Sequence, residues 1–228
     1  SRQGWLEAPY CPCPAGFADL TSQLAWVKPG EVAIVPGLSC DRNGVPDVMR
    51  GEEVQVFGAL RALGLRDARL VLPGTHSKWV RVEQERITRF STFMTGEFYA
   101  LLRQHSLLAR TLPSDDGPLD LPAFERGLAG ARAGSSLLSS AFSVRTLALF
   151  DRMPSAALPS YLSGLLIGEE LRASLPSGDL SQPVVVMGSP VLVERYQHAL
   201  RFFGAEPLPL GAQVTWQGLW AIARTLDG

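Results

Sequence analysis

The stretch Leu70-Val71-Leu72-Pro73-Gly74-Thr75-His76-Ser77-Lys78-Trp79-Val80-Arg81-Val82 constrains the fold more than any other part of this 228-residue chain. A short apolar run stops at Pro73-Gly74, a small polar loop follows over 75–78, and a second run alternates from Trp79 to Glu83. The pattern predicts strand, tight loop, strand. A third strand over 86–93 follows across the short Gln84-Glu85 turn, so the three form a meander. The loop offers backbone N–H groups, the Thr75 and Ser77 hydroxyls and the Lys78 ammonium. These donors suit a phosphate, although an ordinary polar hairpin turn uses the same residue types.

The rest of the chain alternates helix and strand around this meander. Before it we read a short helix near 17–24, a buried strand over 31–36, a turn at Asp41-Arg42-Asn43-Gly44 and a helix over 47–63. In that helix Val54, Phe57 and Leu60 recur on one face. Asp47 is a candidate cap, Glu52 and Glu53 lie near the positive end of the helix dipole, and Gly64 ends it. After the meander, Thr95 is a candidate N-cap for a helix to about residue 108. A loop over 113–118 leads to helices at 121–131, 135–150 and 155–174. A buried strand over 183–187, a helix over 190–203, an extended piece over 207–210 and a helix over 214–224 complete the pattern. A meander that enters a βα-alternating half predicts an α/β protein with mixed sheets covered by helices. One half of the actin-like, sugar-kinase fold is built this way.

Composition excludes several classes. A net charge of −1 leaves no electrostatic footprint for nucleic acid. No run approaches the roughly 20 apolar residues that cross a bilayer. Cys11, Cys13 and Cys40 are an odd set, and Cys11-Pro12-Cys13 is too tight for a zinc pair, so reduced thiols are expected. His76, His105 and His198 show no metal spacing. The chain opens on Ser1-Arg2-Gln3-Gly4-Trp5 without Met, as a chain beginning inside a domain would.

Other segments carry groups suited to chemistry. Met49-Arg50-Gly51-Glu52-Glu53 sets an arginine and two carboxylates at a loop-to-helix junction, either as a solvated first turn or as a general base beside an anion-binding arginine. Thr95-Gly96-Glu97 follows a strand end, where ligands gather in open sheets. Gly188-Ser189 follows the 183–187 strand, and Gly188 lets backbone approach a ring or phosphate. Arg2 and Trp5 are groups that a sugar-acid site would use. Gly164 and Gly168 lie one helical turn apart and are read as close helix packing, with Glu169 and Glu170 as a solvated helix end.

Together these segments resemble one family, the 2-dehydro-3-deoxygalactonokinases. The resemblance runs through Ser1-Arg2-Gln3-Gly4-Trp5, Val35-Pro36-Gly37, Asp47-Val48-Met49-Arg50-Gly51-Glu52-Glu53-Val54-Gln55, Leu72-Pro73-Gly74-Thr75-His76-Ser77-Lys78-Trp79-Val80, Thr95-Gly96-Glu97, Ser163-Gly164-Leu165-Leu166-Ile167-Gly168, and Gly188 with Arg195-Tyr196. It implies an actin-like ATPase (ribonuclease H-like) fold and ATP-dependent phosphorylation of 2-dehydro-3-deoxy-D-galactonate at its 6-hydroxyl. It also implies a cytoplasmic role in galactonate breakdown. Family members carry an Asp-x-Gly-Thr-type phosphate loop ahead of the Ser-Arg-Gln-Gly-Trp region. That segment is not among these residues, so the first half of the fold is expected to be incomplete. On this reading, residues 1–65 are the remainder of an N-terminal lobe and 66–228 a C-terminal lobe carrying the second phosphate hairpin.

The resemblance and the residues give one set of expected roles. Glu52, with Asp47 second, takes the proton from the sugar hydroxyl. Gly74, Thr75, Ser77 and Lys78 hold ATP phosphates, and Gly188 and Ser189 line the nucleotide. Arg2, Trp5, Arg50, Thr95 and Glu97 face the sugar acid. Mg2+ arrives with ATP, without a direct ligand motif. The expected partner is a small-molecule sugar acid, with no nucleic acid and no membrane; a homo-oligomer is compatible. The alternative is a non-catalytic sugar-acid or nucleotide-binding module on the same fold.

Overall fold

Hydrophobic alternation on two faces builds the centre of this protein. In the computed structural model, which describes residues 8–134, 136–175, 182–211 and 213–226, the strands and helices follow in chain order. The first part holds β1 (Tyr10–Pro12), β2 (Ala15–Gly16), α1 (Phe17–Ser22), β3 (Ala25–Lys28), β4 (Val32–Ile34), β5 (Gly37–Arg42), β6 (Val45–Met49) and α2 (Glu52–Leu63). The meander is β7 (Ala68–Leu72), β8 (Ser77–Glu83) and β9 (Arg86–Phe93). Then come α3 (Thr95–His105), α4 (Leu121–Arg132), α5 (Leu137–Ser140), α6 (Ser143–Leu149), α7 (Leu158–Ser174), β10 (Val184–Met187), α8 (Pro190–Phe202), β11 (Pro207–Leu210) and α9 (Gln213–Arg224).

The main sheet has the order β11-β10-β7-β8-β9-β2. β7, β10 and β11 are parallel, and β8 and β9 run as antiparallel hairpins beside them. Central strands are covered on both faces and therefore read as continuous apolar runs. Leu70, Leu72, Val80, Val185 and Met187 pack with Val56, Phe57 and Leu60 of α2 on one face. Val71, Trp79, Val184 and Val186 pack on the other face with α4, α7 and α8, through Phe124, Leu128, Ile167, Leu171, Tyr196 and Leu200. The sheet is thus the middle layer of three, which makes this a mixed α/β protein.

The meander and the elements from α7 to α9 match the expected pattern closely. The turn at 41–44 is present, and three other expectations are corrected. The 31–36 strand is not buried: among the described residues β4 pairs only with β3, no helix covers this small ribbon, and Val32 is half exposed. The 41–44 turn is the tip of a hairpin, β5–β6, with Asn43 and Gly44 at φ 55° and 80°, a two-residue turn that suits strand twist. Residues 45–49 therefore belong to β6, and α2 starts only at Glu52, so Asp47 caps nothing. The 135–150 helix is two short helices, α5 and α6, with Ser135 outside the described residues.

Close helix packing at α7 is as read. A Cβ on Gly164 would strike the Phe124 carbonyl of α4, and one on Gly127 would strike the Tyr161 carbonyl of α7. On the other side of the sheet, α2 and α9 cross equally closely, Gly58 against Val214 and Gly218 against Val54. Cys11, Cys13 and Cys40 are free thiols. No helix among the described residues is long and apolar enough to cross a membrane.

Candidate active site

The candidate site lies where the parallel strands end. β7 and β10 are neighbours, yet the chain leaves β7 towards β8 and leaves β10 towards β11, on opposite sides. Such a switch point opens a crevice beyond the carboxyl ends of the strands. Its two lips are the turn after β7, Pro73 to His76, and the Gly188-Ser189 joint after β10. They approach closely: a Cβ on Gly188 would lie 3.3 Å from the Pro73 carbonyl oxygen.

Thr75 and His76 form the exposed tip of the turn. Ser77 and Lys78 do not belong to it; they open β8 and are only 0% and 6% exposed. The Ser77 hydroxyl meets the Tyr196 hydroxyl at 3.0 Å in the core. The Lys78 ammonium donates to the Val48 carbonyl at 2.8 Å and to the Thr92 hydroxyl at 2.7 Å. Among the described residues no carboxylate lies within ion-pair distance of Lys78. Strand alternation explains the split, since successive side chains at the start of β8 enter opposite faces.

The start of α3 is built onto this turn. Gly96 fits because a Cβ there would lie 2.5 Å from the Gly74 carbonyl oxygen and 2.9 Å from the Thr75 Cα. The Glu97 N–H donates to the Thr75 carbonyl at 3.0 Å, and the Glu97 carboxylate bonds His76 Nε2 at 2.6 Å. Thr95 is not the cap; Met94 holds that position, and the Thr95 hydroxyl turns inward to Glu170.

The end of β6 brings a second group of polar side chains. The Asp47 carboxylate accepts the Thr92 N–H at 2.7 Å, the Thr92 hydroxyl at 2.6 Å and the Val48 N–H at 2.8 Å. It ties β6 to β9 and shares Thr92 with Lys78. Beyond it, Gly51 at φ 104° reverses the chain into α2, a conformation that glycine adopts at little cost. Both following carboxylates fold back onto this bend. Glu52 accepts the Arg50 N–H at 3.0 Å, and Glu53 accepts the Gly51 N–H at 2.8 and 2.9 Å. Glu53 is 1% exposed, and burial pushes its carboxyl up to about 7. Glu52 is only partly buried. Arg50 is engaged elsewhere, donating to the Ala8 carbonyl at 2.7 Å and stacking over Tyr10.

Thus the structure brings Gly74, Thr75, Glu97 and Gly188 together at the ends of β7 and β10, with Thr95, Ser77 and Lys78 behind the turn and Asp47 joined to Lys78 through Thr92. Ser189 is exposed at the start of α8. Arg2 and Trp5 lie outside the described residues. Glu170 is a correction: it is not a solvated helix end but 2% exposed, accepting from Trp79, Thr95 and Tyr196. The signal was present in the sequence. From Leu158 to Leu171 the helix has no continuous polar face, which is the pattern of a helix buried on all sides.

The model of the 2-keto-3-deoxy-galactonokinase family matches residues 1–222. The chain belongs to the 2-keto-3-deoxy-galactonokinase family. One family relative, a 2-dehydro-3-deoxygalactonokinase of Escherichia coli (strain K12), is 34% identical over 227 residues, covering 99% of this chain and 76% of the relative. Another, from Rhizobium meliloti (strain 1021) and with the same activity in its name, is 35% identical over 231 residues, covering 99% and 76%. A crystal structure from Sinorhizobium meliloti, described as that of a 2-dehydro-3-deoxygalactonokinase protein, superposes with a TM-score of 0.89 at 35% identity, covering 99% of this chain and 77% of that one.

Proposed function

We propose that this protein is an ATP-dependent kinase that phosphorylates 2-dehydro-3-deoxy-D-galactonate at its 6-hydroxyl, in cytoplasmic galactonate catabolism. The observation that carries this reading is the family match over residues 1–222. The framework is read as the actin-like ATPase fold, although β2 and α2 join the same sheet and core as the residues after 65. A crevice at a switch point, walled by a short turn, is a suitable place for phosphoryl transfer.

Such transfer needs positioning and charge stabilisation more than covalent chemistry. The backbone of the Gly74–His76 turn and the Thr75 hydroxyl would hold ATP phosphates. Lys78 would act from behind the turn: its buried ammonium has two neutral acceptors and no ion-paired carboxylate among the described residues, which leaves positive potential at the wall. Gly188 and Ser189 would border the nucleotide. Mg2+ would come bound to ATP phosphates, as it commonly does. When bound it neutralises phosphate charge.

Glu52 is the proposed general base. Its carboxylate is partly exposed at the first residue of α2 and accepts the Arg50 N–H, whereas Asp47 accepts from both Thr92 and Val48 and Glu53 is buried on Gly51. Glu97 would face the sugar acid; Arg50, held by the Ala8 carbonyl and Tyr10, and Thr95, bonded to Glu170, are turned to other partners.

Incubation with ATP, MgCl2 and 2-dehydro-3-deoxy-D-galactonate tests the reading, with ADP release followed by a coupled assay and the product by 31P NMR. The expected product is the 6-phosphate. Saturable binding of the sugar acid with no ADP formed would replace the kinase by a non-catalytic binding module.

A further inference from the structure

Glu170 is a buried carboxylate with no cation beside it. Among the described residues none lies within ion-pair distance. Its Oε1 accepts the Trp79 indole N–H at 2.7 Å, and its Oε2 accepts the Tyr196 hydroxyl at 2.8 Å and is joined by the Thr95 hydroxyl. Tyr196 passes the contact on to Ser77, which is itself fully buried. Burying a carboxylate is costly unless hydrogen bonds satisfy it, and an apolar side chain of similar size is often no less stable at such a position. Core packing alone therefore gives no reason for a glutamate here.

What the carboxylate holds gives a reason. Ser77 and Trp79 directly follow the turn at the crevice. Thr95 opens α3, and the next two residues touch that turn: Gly96 packs on Gly74, and Glu97 bonds Thr75 and His76. Tyr196 comes from α8, which starts at the opposite lip, after Gly188. Three segments, β8, the start of α3 and α8, converge on one side chain that lies behind the turn.

We propose that Glu170 is a positioning residue for phosphoryl transfer: it clamps the Gly74–His76 turn against the first turn of α3 and so sets where the ATP phosphates sit, without touching them. The proposal rests on the reading above that this turn holds ATP. Misplacing reacting groups by about 1 Å costs up to about a hundredfold in rate, so a loosened clamp has a large kinetic effect.

The test uses Glu170→Gln, which keeps the shape and one acceptor oxygen, and Tyr196→Phe, which keeps the ring and removes one link. Thr75→Ala, at an exposed position, probes the turn directly. Three readouts are taken: thermal unfolding, KM and kcat for each substrate, and amide hydrogen exchange of peptides spanning 72–80 and 94–99. In both clamp variants we expect cooperative unfolding and faster exchange confined to those peptides. We also expect a loss of about tenfold in kcat/KM for ATP, with the KM for the sugar acid within about twofold of wild type. Unchanged turn exchange and unchanged kcat/KM for ATP in both variants would overturn the proposal. So would a lowered melting temperature with kcat/KM for ATP intact in the folded fraction, because that is the mark of a purely structural residue. If Thr75→Ala leaves the KM for ATP unchanged while Glu170→Gln still speeds exchange at the turn, the clamp stands and the assignment of the turn to ATP falls.

Discussion

Asp47→Asn separates two roles that a carboxylate near a crevice could have. In the structure Asp47 is a tie: Oδ2 takes the Thr92 N–H and Oδ1 takes the Thr92 hydroxyl and the Val48 N–H. The amide keeps one acceptor oxygen, but its NH2 must then face either the Thr92 N–H or the other two donors. One charge-assisted hydrogen bond is lost and a donor is set against a donor. Hydrogen bonds to charged groups are worth about 1.5–3 kcal/mol. Asp47 is half-buried, so about 2–3 kcal/mol of destabilisation is expected. For a protein of this size each kcal/mol moves the melting temperature by about 2–4 °C, which gives a fall of about 4–12 °C. Calorimetry measures it, and a cycle with Thr92→Val should return a coupling of about 1 kcal/mol, because both changes remove the same hydrogen bond. Well below the melting temperature, kcat should drop only a few-fold. The opposite pattern, a melting temperature within 2 °C of wild type and kcat lower by about a hundredfold or more, is what loss of a general base produces. It would refute the tie and return the proton-accepting role to Asp47.

Three further outcomes follow from the same geometry. The Glu53 carboxyl titrates at about 7 in the folded protein against an ordinary 4.5, so between these values the folded state holds a proton that the unfolded state has lost. Stability therefore falls as pH rises from 4.5 to 7, by about 3 kcal/mol, and Glu53→Gln should flatten this dependence in urea titrations across that range. Gly96→Ala drives a methyl group into the backbone of Gly74 and Thr75; it should cost about 1–3 kcal/mol and raise the KM for ATP, measured by calorimetry and initial rates. Gly164→Ala pushes α7 off the backbone of α4 and should cost a similar amount, but with both KM values unchanged in the folded fraction, since its contact lies away from the crevice.

What could be read from the residues follows a physical division. The β7–β8–β9 meander was legible because Pro73-Gly74 and Gln84-Glu85 punctuate runs with clear alternation. The β5–β6 hairpin was legible only at its tip. Its strands hold Ser39, Cys40, Asp41, Pro46 and Asp47 and bury little, so no periodic apolar signal marks them. Missing β6 displaced Asp47 from a strand into a helix and made a cap of what is a cross-strand tie. The turn and the start of α3 were each recognised locally, but their joining is tertiary: it depends on Gly96 meeting Gly74 across the length of a hairpin. The inward side of Glu170 was hidden for the same reason. Its partners Trp79, Thr95 and Tyr196 come from three other elements, and only the lack of a polar face on α7 hinted at them.

The crossing of α2 and α9 also has a consequence for how this protein is made. Gly58 rests on Val214 and Gly218 on Val54, so the helix that begins at Glu52 has its back against residues synthesised about 155 positions later. At ribosomal speeds of about 5–20 residues per second, α2 waits on the order of ten seconds or more for its neighbour to emerge. Until then the face that carries Val54 and Gly58 is open to water and to other chains. Chaperone dependence during translation should therefore concentrate on this early helix, and silent changes that slow the ribosome between β7 and α9 should lower the yield of active enzyme without altering a single side chain.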